Sequence, residues 1–229
     1  MNKKFLLIPV LIAVLCCAVS AFAEAEFTVT DKILITAEGD SDGFFFAKIE
    51  NTGDTGAYTE WGGKLFGFSE DDDIILSEEY VSTSPGTIYL EPGDYAYIDE
   101  WIYESELQTS TVVDYRFSIK AGTYGTKYTK QPCIADVQYS SSEKYDNYVN
   151  VTIANVSSEI LQDFYITSAI YDQNGELIYV AGDAFETLGI TPGSTVIIKQ
   201  AITGDVAAYF ARNKLVPTTV DAILYIAEK

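Results

Sequence analysis

The sequence predicts an all-β chain built as two tandem antiparallel β-sandwiches. Three observations predict it: apolar residues alternating at period two in short segments, turn signals between those segments, and a loose repetition of the pattern along the chain. The clearest alternation is Tyr148-Val149-Asn150-Val151-Thr152-Ile153-Ala154-Asn155, where Val149, Val151 and Ile153 share one face of an extended segment. Residues 164–171 then run into Asp172-Gln173-Asn174-Gly175, a hairpin-type turn, and 176–181 return. Thr191-Pro192-Gly193-Ser194 forms a further turn ahead of a strand over 195–202.

The first half echoes this. Phe44-Phe45-Phe46-Ala47-Lys48-Ile49-Glu50-Asn51 repeats the order aromatic, alternation, Ile, small or acidic, Asn of 148–155. Glu91-Pro92-Gly93-Asp94 with 95–98 answers Thr191-Pro192-Gly193-Ser194 with 195–198. Asn51 and Pro92 lie 41 positions apart and Asn155 and Pro192 lie 37 apart, so the copies differ by a few loop residues. Each ends in a strand-like run, 111–120 and 220–227. Units of about 100 residues can each close a core. The expected organisation is a first sandwich over 24–120, a linker over 121–132 and a second sandwich over 133–229. The linker is expected as a solvated stretch without apolar runs, short enough to restrict reorientation. Helix is expected at 205–213, with Asp205 as N-cap and Asn213 as its stop, and more weakly at 104–108.

Ahead of the first unit, Met1-Asn2-Lys3-Lys4 is basic, 5–19 is apolar with Pro9 inside it, and Ala21-Phe22-Ala23 offers a small-x-small cleavage site. A removed signal peptide over 1–23 is expected, because the run is shorter than the roughly 20 residues of a spanning helix. Lipidation at Cys16 or Cys17 is the lesser alternative, since Leu15 stands where a small residue is wanted. Localisation is then secreted, extracellular or periplasmic, with no stable membrane insertion after cleavage.

The full chain carries a formal charge of −20. Loss of Lys3 and Lys4 leaves 12 basic against 34 acidic residues, or −22. Such a chain is a poor partner for nucleic acid or anionic membranes, which need clustered Lys and Arg. There is no histidine, which excludes Ser-His-Asp and Cys-His catalysis and histidine-ligated zinc. Cys133 is the one cysteine of the mature chain, so it is read as a small half-buried thiol and stability must come from the cores.

Oxygen-rich turns at Asp40-Ser41-Asp42-Gly43, Glu70-Asp71-Asp72-Asp73 and Asp172-Gln173-Asn174-Gly175-Glu176 are the candidates for calcium. All three read as solvated turns, because Phe44 follows where a calcium loop needs more oxygen and the others sit at hairpin tips. No metal and no cofactor is expected.

In its second copy, 149–155, Ala169-Ile170-Tyr171-Asp172-Gln173-Asn174-Gly175 and Pro192-Gly193-Ser194, the chain resembles the bacterial immunoglobulin-like domains with a Phe-x-Leu-Tyr-Asp signature. Ser168 replaces the Phe of that signature and Ile170 its Leu, and the first copy, with Phe68-Ser69, lacks the Tyr-Asp pair. The resemblance implies two tandem immunoglobulin-like antiparallel β-sandwiches in a secreted or surface protein, without catalytic residues to carry over.

Function is then sought in the aromatic residues. The 17 Tyr and 2 Trp include Trp61 and Trp101, both in the first copy, with Tyr103 two residues beyond the second tryptophan. Trp61, Trp101 and Tyr103 are the candidate binding residues, as a platform on which the C–H faces of sugar rings would stack. The competing expectation buries them as sandwich core. Paired carboxylates could hydrolyse glycosides without histidine, with Glu78, Glu79, Asp99, Glu100 and Glu104 available, but no spacing singles out a pair. The expected function is non-catalytic binding, adhesion or structural display at the bacterial cell envelope, with a protein or glycan partner. The alternative is a carbohydrate-binding protein or accessory to a polysaccharide-degrading system.

Overall fold

The computed structural model describes residues 24–37, 39–141 and 146–228, so the expected signal peptide lies outside them. The first unit contains β1 (Phe27–Thr36), β2 (Asp42–Asn51), β3 (Ala57–Thr59), β4 (Gly63–Phe68), β5 (Ile74–Val81), β6 (Thr83–Ser84), β7 (Tyr89–Leu90), β8 (Tyr95–Tyr103), β9 (Asp114–Ser118) and β10 (Ala121–Gly122). Its sheets have the orders β1-β2-β8-β6, β5-β4-β9 and β10-β3-β7. The second unit contains β11 (Tyr128–Gln138), β12 (Tyr148–Ala154), β13 (Phe164–Asp172), β14 (Leu177–Phe185), β15 (Thr195–Ala201), helix α1 (Gly204–Asn213) and β16 (Pro217–Ala227). Its strands follow the order β14-β13-β16-β11-β12-β15, every pairing antiparallel. This is the all-β, two-sandwich fold that the alternation predicts.

In the second unit the two layers are joined by one strand. Residues 128–133 of β11 pair with β16, and 134–138 pair with β12. Val149, Val151 and Ile153 from one layer and Phe164, Ile166 and Leu224 from the other are buried together. Pro132 is tolerated in β11 because, on that side of the switch, the strand is an edge and can do without one N–H.

The repeat is most evident in its hydrogen bonds. Asn51, wholly buried at the end of β2, donates from Nδ2 to Thr55 O (2.8 Å) and Leu90 O (3.0 Å), and its Oδ1 accepts from Gly53 N (3.1 Å). Asn155 donates to Glu159 O (2.8 Å) and Ile190 O (2.7 Å) and accepts from Ser157 N (3.0 Å). Their backbones bond to the matching Pro-Gly turns, Asn51 with Gly93 and Asp94, Asn155 with Gly193 and Ser194. A side-chain amide supplies two donors and an acceptor at one point, which is why this position is Asn in both copies.

The hairpin tips also match. Asp172 Oδ1 accepts from Asn174 N (2.8 Å) and Glu176 N (3.0 Å), while in the first unit Ser69 Oγ accepts from Asp71 N and Asp73 N (both 3.3 Å). Gly175 takes the left-handed conformation at φ 82°, and Asp72 does the same at φ 62°. Asp tolerates that region better than most residues with a Cβ, which accounts for an acidic tip in place of Asn-Gly.

Two boundaries differ from expectation. The stretch 121–132, expected as a linker, is strand at both ends: β10 pairs with β3, and β11 starts at Tyr128. Between them, Thr126 bonds to Thr87 and Tyr89. A two-residue strand and a polar edge strand carry no apolar periodicity, so neither is visible in the pattern. The N-cap of helix α1 lies two residues earlier than expected. Thr203 occupies the N-cap position without a side-chain cap, Asp205 lies in the first turn where the helix dipole favours an anion, and the left-handed Lys214 ends the helix. The weaker expectation is met by a 3₁₀ turn, Ser105–Gln108.

The units pack closely. Along β2, Phe45, Ala47 and Ile49 fill the first sandwich, while Phe46 points out of it and is nevertheless fully buried. Its ring meets Tyr179 of β14 edge-on at 5.0 Å. Polar contacts frame this seam. Tyr95 and Tyr97 both donate to Asp221 Oδ2, at 2.7 and 2.6 Å, and Gly182 N donates to Asp99 Oδ2 at 2.9 Å. Leu177 N donates to Asp31 Oδ2 at 3.0 Å, and Lys130 Nζ lies 3.3 Å from Asp94 Oδ2.

Candidate functional site

Strand β8 sets the geometry. Its even residues, Ala96, Ile98 and Ile102, are buried in the first sandwich, so Tyr95, Tyr97, Asp99, Trp101 and Tyr103 share the outer face. The second unit covers the first part of that face, taking Tyr97 to 0% exposure. It does not cover the far end, where Trp101 is 61% and Tyr103 64% exposed. Directly across the sheet Trp101 pairs with Phe44 and Tyr103 with Asp42, close enough for cross-strand side chains to meet one ligand together.

Beside this aromatic end lies a groove of about 180 Å³ between the β1–β2 hairpin and helix α1. Ile35 and Phe44 lie on the sheet side, Asp205, Ala208 and Arg212 on the helix side, and Asp40 and Asp42 at the hairpin. The arrangement offers apolar ring faces, carboxylate acceptors and one guanidinium donor. That combination suits a ligand with an apolar face edged by hydroxyl groups.

The expected platform residues are therefore all exposed, and only two of the three come together. Trp61, 58% exposed, stands in the turn between β3 and β4, and shares no ring contact with Trp101 or Tyr103 among the described residues. Phe44 and Arg212 were not legible as site residues, and Asp42 was weighed only within a candidate calcium turn. The signal available was the run Phe44-Phe45-Phe46, apolar on both faces of one strand, which implies a second surface packed against or beside the sheet.

The carboxylates divide by strand geometry. Asp99 and Glu100 are neighbours in β8 and point to opposite faces, so they cannot flank one bond. Asp99 reaches a cavity of about 240 Å³ between the units, lined also by Ser84, Tyr165 and Gly182. Its carboxyl is crowded by protein yet open to water at the cavity mouth. Desolvation raises its pKa to about 6, opposed by the Gly182 N–H and reinforced by Asp183. Glu100 is raised to about 7, first by desolvation and then by repulsion from Glu78, against a hydrogen bond from the Ser82 backbone. None of Glu78, Glu79, Glu100 and Glu104 lines this cavity or the groove beside helix α1.

A pH dependence follows. A carboxyl whose pKa is higher folded than unfolded binds more protons in the folded state, so stability falls as pH rises between the two values. For Asp99 and Glu100 the window runs from about 4 to about 7. Glu100→Gln is expected to flatten the decline of Tm across that window and to raise stability at pH 8 by roughly 1–2 kcal/mol, after discount for its partial solvent contact. Thermal melts of both proteins from pH 4 to pH 8 check this, and parallel profiles would refute it.

The acidic turns have local roles. Asp40 Oδ1 accepts from Asp42 N at 3.1 Å, and Ser69 and Asp172 bind their own hairpin amides. Among the described residues no three His, Cys, Asp or Glu side chains gather in a metal-holding group. Cys133 is half-buried, and burial raises its thiol pKa. No described helix is long and apolar enough to cross a membrane.

Fold and site together define an all-β protein of two packed antiparallel sandwiches with an aromatic surface at one end of their seam. No family model matches the chain, and no curated protein matches it. Among solved structures it is similar to red sea bream transglutaminase, at 6% identity and a TM-score of 0.26, over 90% of this chain and 29% of that one. It is also similar to Bacteroides uniformis beta-glucuronidase, at 8% identity and a TM-score of 0.22, over 78% of this chain and 28% of that one. A calcium-binding mutant of Bacteroides uniformis beta-glucuronidase 2 gives 7% identity and a TM-score of 0.22, over 79% and 28%. The chain spans less than a third of each of these proteins, and scores this low carry no residue correspondence.

Proposed function

We propose that this chain is a secreted, non-catalytic binding protein of the bacterial cell envelope, whose contact surface is the aromatic end of β8, and that its ligand is a neutral glycan. The observation that carries the reading is the exposure of Trp101 and Tyr103 on one strand face, since a sandwich that only needs stability buries its tryptophan. Adjacent exposed rings fit the C–H face of a pyranose, and Asp40, Asp42 and Arg212 border them as acceptors and a donor for hydroxyls. A surface edged mainly by carboxylates on a chain of net charge −20 repels uronates and sulfated sugars, which favours neutral glycans.

Trp101 emission in the free protein is expected to be red-shifted and readily quenched by acrylamide. Within a panel of neutral polysaccharides, a ligand is expected to blue-shift and protect it. Trp101→Ala is expected to weaken that binding by roughly 5- to 150-fold, in line with about 1–3 kcal/mol for one stacked ring, while Trp61→Ala leaves it unchanged. Binding that survives Trp101→Ala would overturn the site. Release of reducing ends by the wild-type protein would overturn the non-catalytic part.

A further inference from the structure

A sheet edge left open is a template for another strand, and most edges here are blunted in a recognisable way. β1 carries a bulge between Val29 and Asp31. β5 has irregular register with β4 and carries Glu78 and Glu79. β14 lies against the first unit through Tyr179 and Gly182. β9 is charged at Asp114 and Arg116. Strand β15 has the least of this protection. It runs seven residues in unbroken register with β12, and its one charged residue is Lys199.

Comparison of the two units shows what is missing. The counterpart of β15 is β8, whose outer edge is covered by β6, with Ser84 opposite Tyr97 and Thr83 opposite Ile98. In the second unit the chain after β14 goes directly to the Leu161–Ile190 bridge, and among the described residues no strand pairs with the outer edge of β15. The register fixes which groups stay open. Ser194 O accepts from Asn155 N and Ile202 N donates to Asn147 O, so the even residues of β15 bond inward to β12. Thr195, Ile197 and Lys199 therefore turn their N–H and C=O groups outward, without a partner among the described residues.

Charge and exposure select the occupant. From Thr187 through Gly204 there is no Asp or Glu, within a chain that holds 34 of them. This is a stretch where two copies of so acidic a protein can approach without opposing carboxylates. Ile197 is 64% exposed, and with Thr152 and the 79% exposed Ile134 it forms one cross-strand row on the outer face.

We infer that β15 pairs antiparallel with β15 of a second copy of this chain, about a two-fold axis at Ile197. That axis sets Ile197 against Ile197 and Thr195 against Lys199, satisfies the outward groups of the odd residues, and joins β11-β12-β15 of both copies into one six-stranded layer. The contact is isologous and closes at two copies. It is a small interface, so association is weak and is strengthened by salt, which screens the net charge.

Sedimentation equilibrium of the mature chain tests this, from micromolar to millimolar and at low and high salt, alongside Ile197→Lys. The exposed position lets the variant fold, which circular dichroism and an unchanged Tm verify. The wild type is expected to form a dimer whose dissociation constant falls on adding salt. Ile197→Lys, which sets two lysines face to face, is expected to weaken dimerisation at least tenfold. Amide exchange at Thr195, Ile197 and Lys199 is expected to slow as concentration rises, with Val196 and Ile198 protected throughout. A wild type that stays monomeric at millimolar concentration overturns the inference, and so does a dimer that Ile197→Lys leaves intact.

Discussion

Asn155→Ala is expected to destabilise the chain by about 2–4 kcal/mol, measured as a shift of the urea midpoint at unchanged slope. The substitution strips partners from Glu159 O, Ile190 O and Ser157 N at a residue only 4% exposed. Each buried polar group left unsatisfied costs about 1–3 kcal/mol, and a methyl group cannot replace any of the three bonds. Asn155→Asp is expected to fare no better, because a carboxylate has no N–H to give and would face two carbonyl oxygens. The same change at Asn51 strips Thr55 O, Leu90 O and Gly53 N and is expected to cost a similar amount. A loss below about 1 kcal/mol at both positions would show that the Pro-Gly turns hold without the asparagine.

Phe46→Ala is expected to cost about 3–5 kcal/mol, as for a large ring removed from a filled interior. The side chain is fully buried, yet it lies outside its own sandwich, between Phe44 at 6.2 Å and Tyr179 at 5.0 Å centroid separation. Its removal therefore loosens the seam more than either core. Amide exchange should accelerate first at Gly182, whose N–H is held by Asp99 across that seam. Affinity at the aromatic end of β8 should fall with it, since Phe44, which stacks on Phe46, lines the groove that faces helix α1. Exchange accelerating equally through both sandwich interiors would mean that Phe46 supports the fold as a whole, with no particular role at the seam.

The legible part of this protein is what neighbours in the chain decide. Alternation at 148–155, the hairpin turn at Asp172 to Gly175 and the Pro-Gly turns are local patterns, and each became the strand or turn expected. The duplication was legible because both copies keep an Asn at the end of one strand and a Pro-Gly turn about forty positions on, and those two elements are bonded to each other in each unit. Strands of two residues, such as β10, and the polar edge strand starting at Tyr128 went unseen because neither spans enough alternation to leave a periodic mark.

By itself the sequence determined the fold class, the repeat, the absence of histidine chemistry and the strongly acidic surface, since composition and period-two patterning act residue by residue. Only the tertiary structure decided which outward-facing residues meet water. Tyr97 and Trp101 lie on the same face of the same strand, four residues apart, one fully buried and the other 61% exposed. The difference is how far the second unit extends over that face, a contact between segments more than 70 residues apart in the chain, as in the Tyr97–Tyr171 hydrogen bond. Strand pattern assigns a side chain to a face, but long-range packing determines whether that face is covered. The same packing sets Phe44, the cross-strand neighbour of Trp101, at a groove facing helix α1, covers β14 and leaves β15 open.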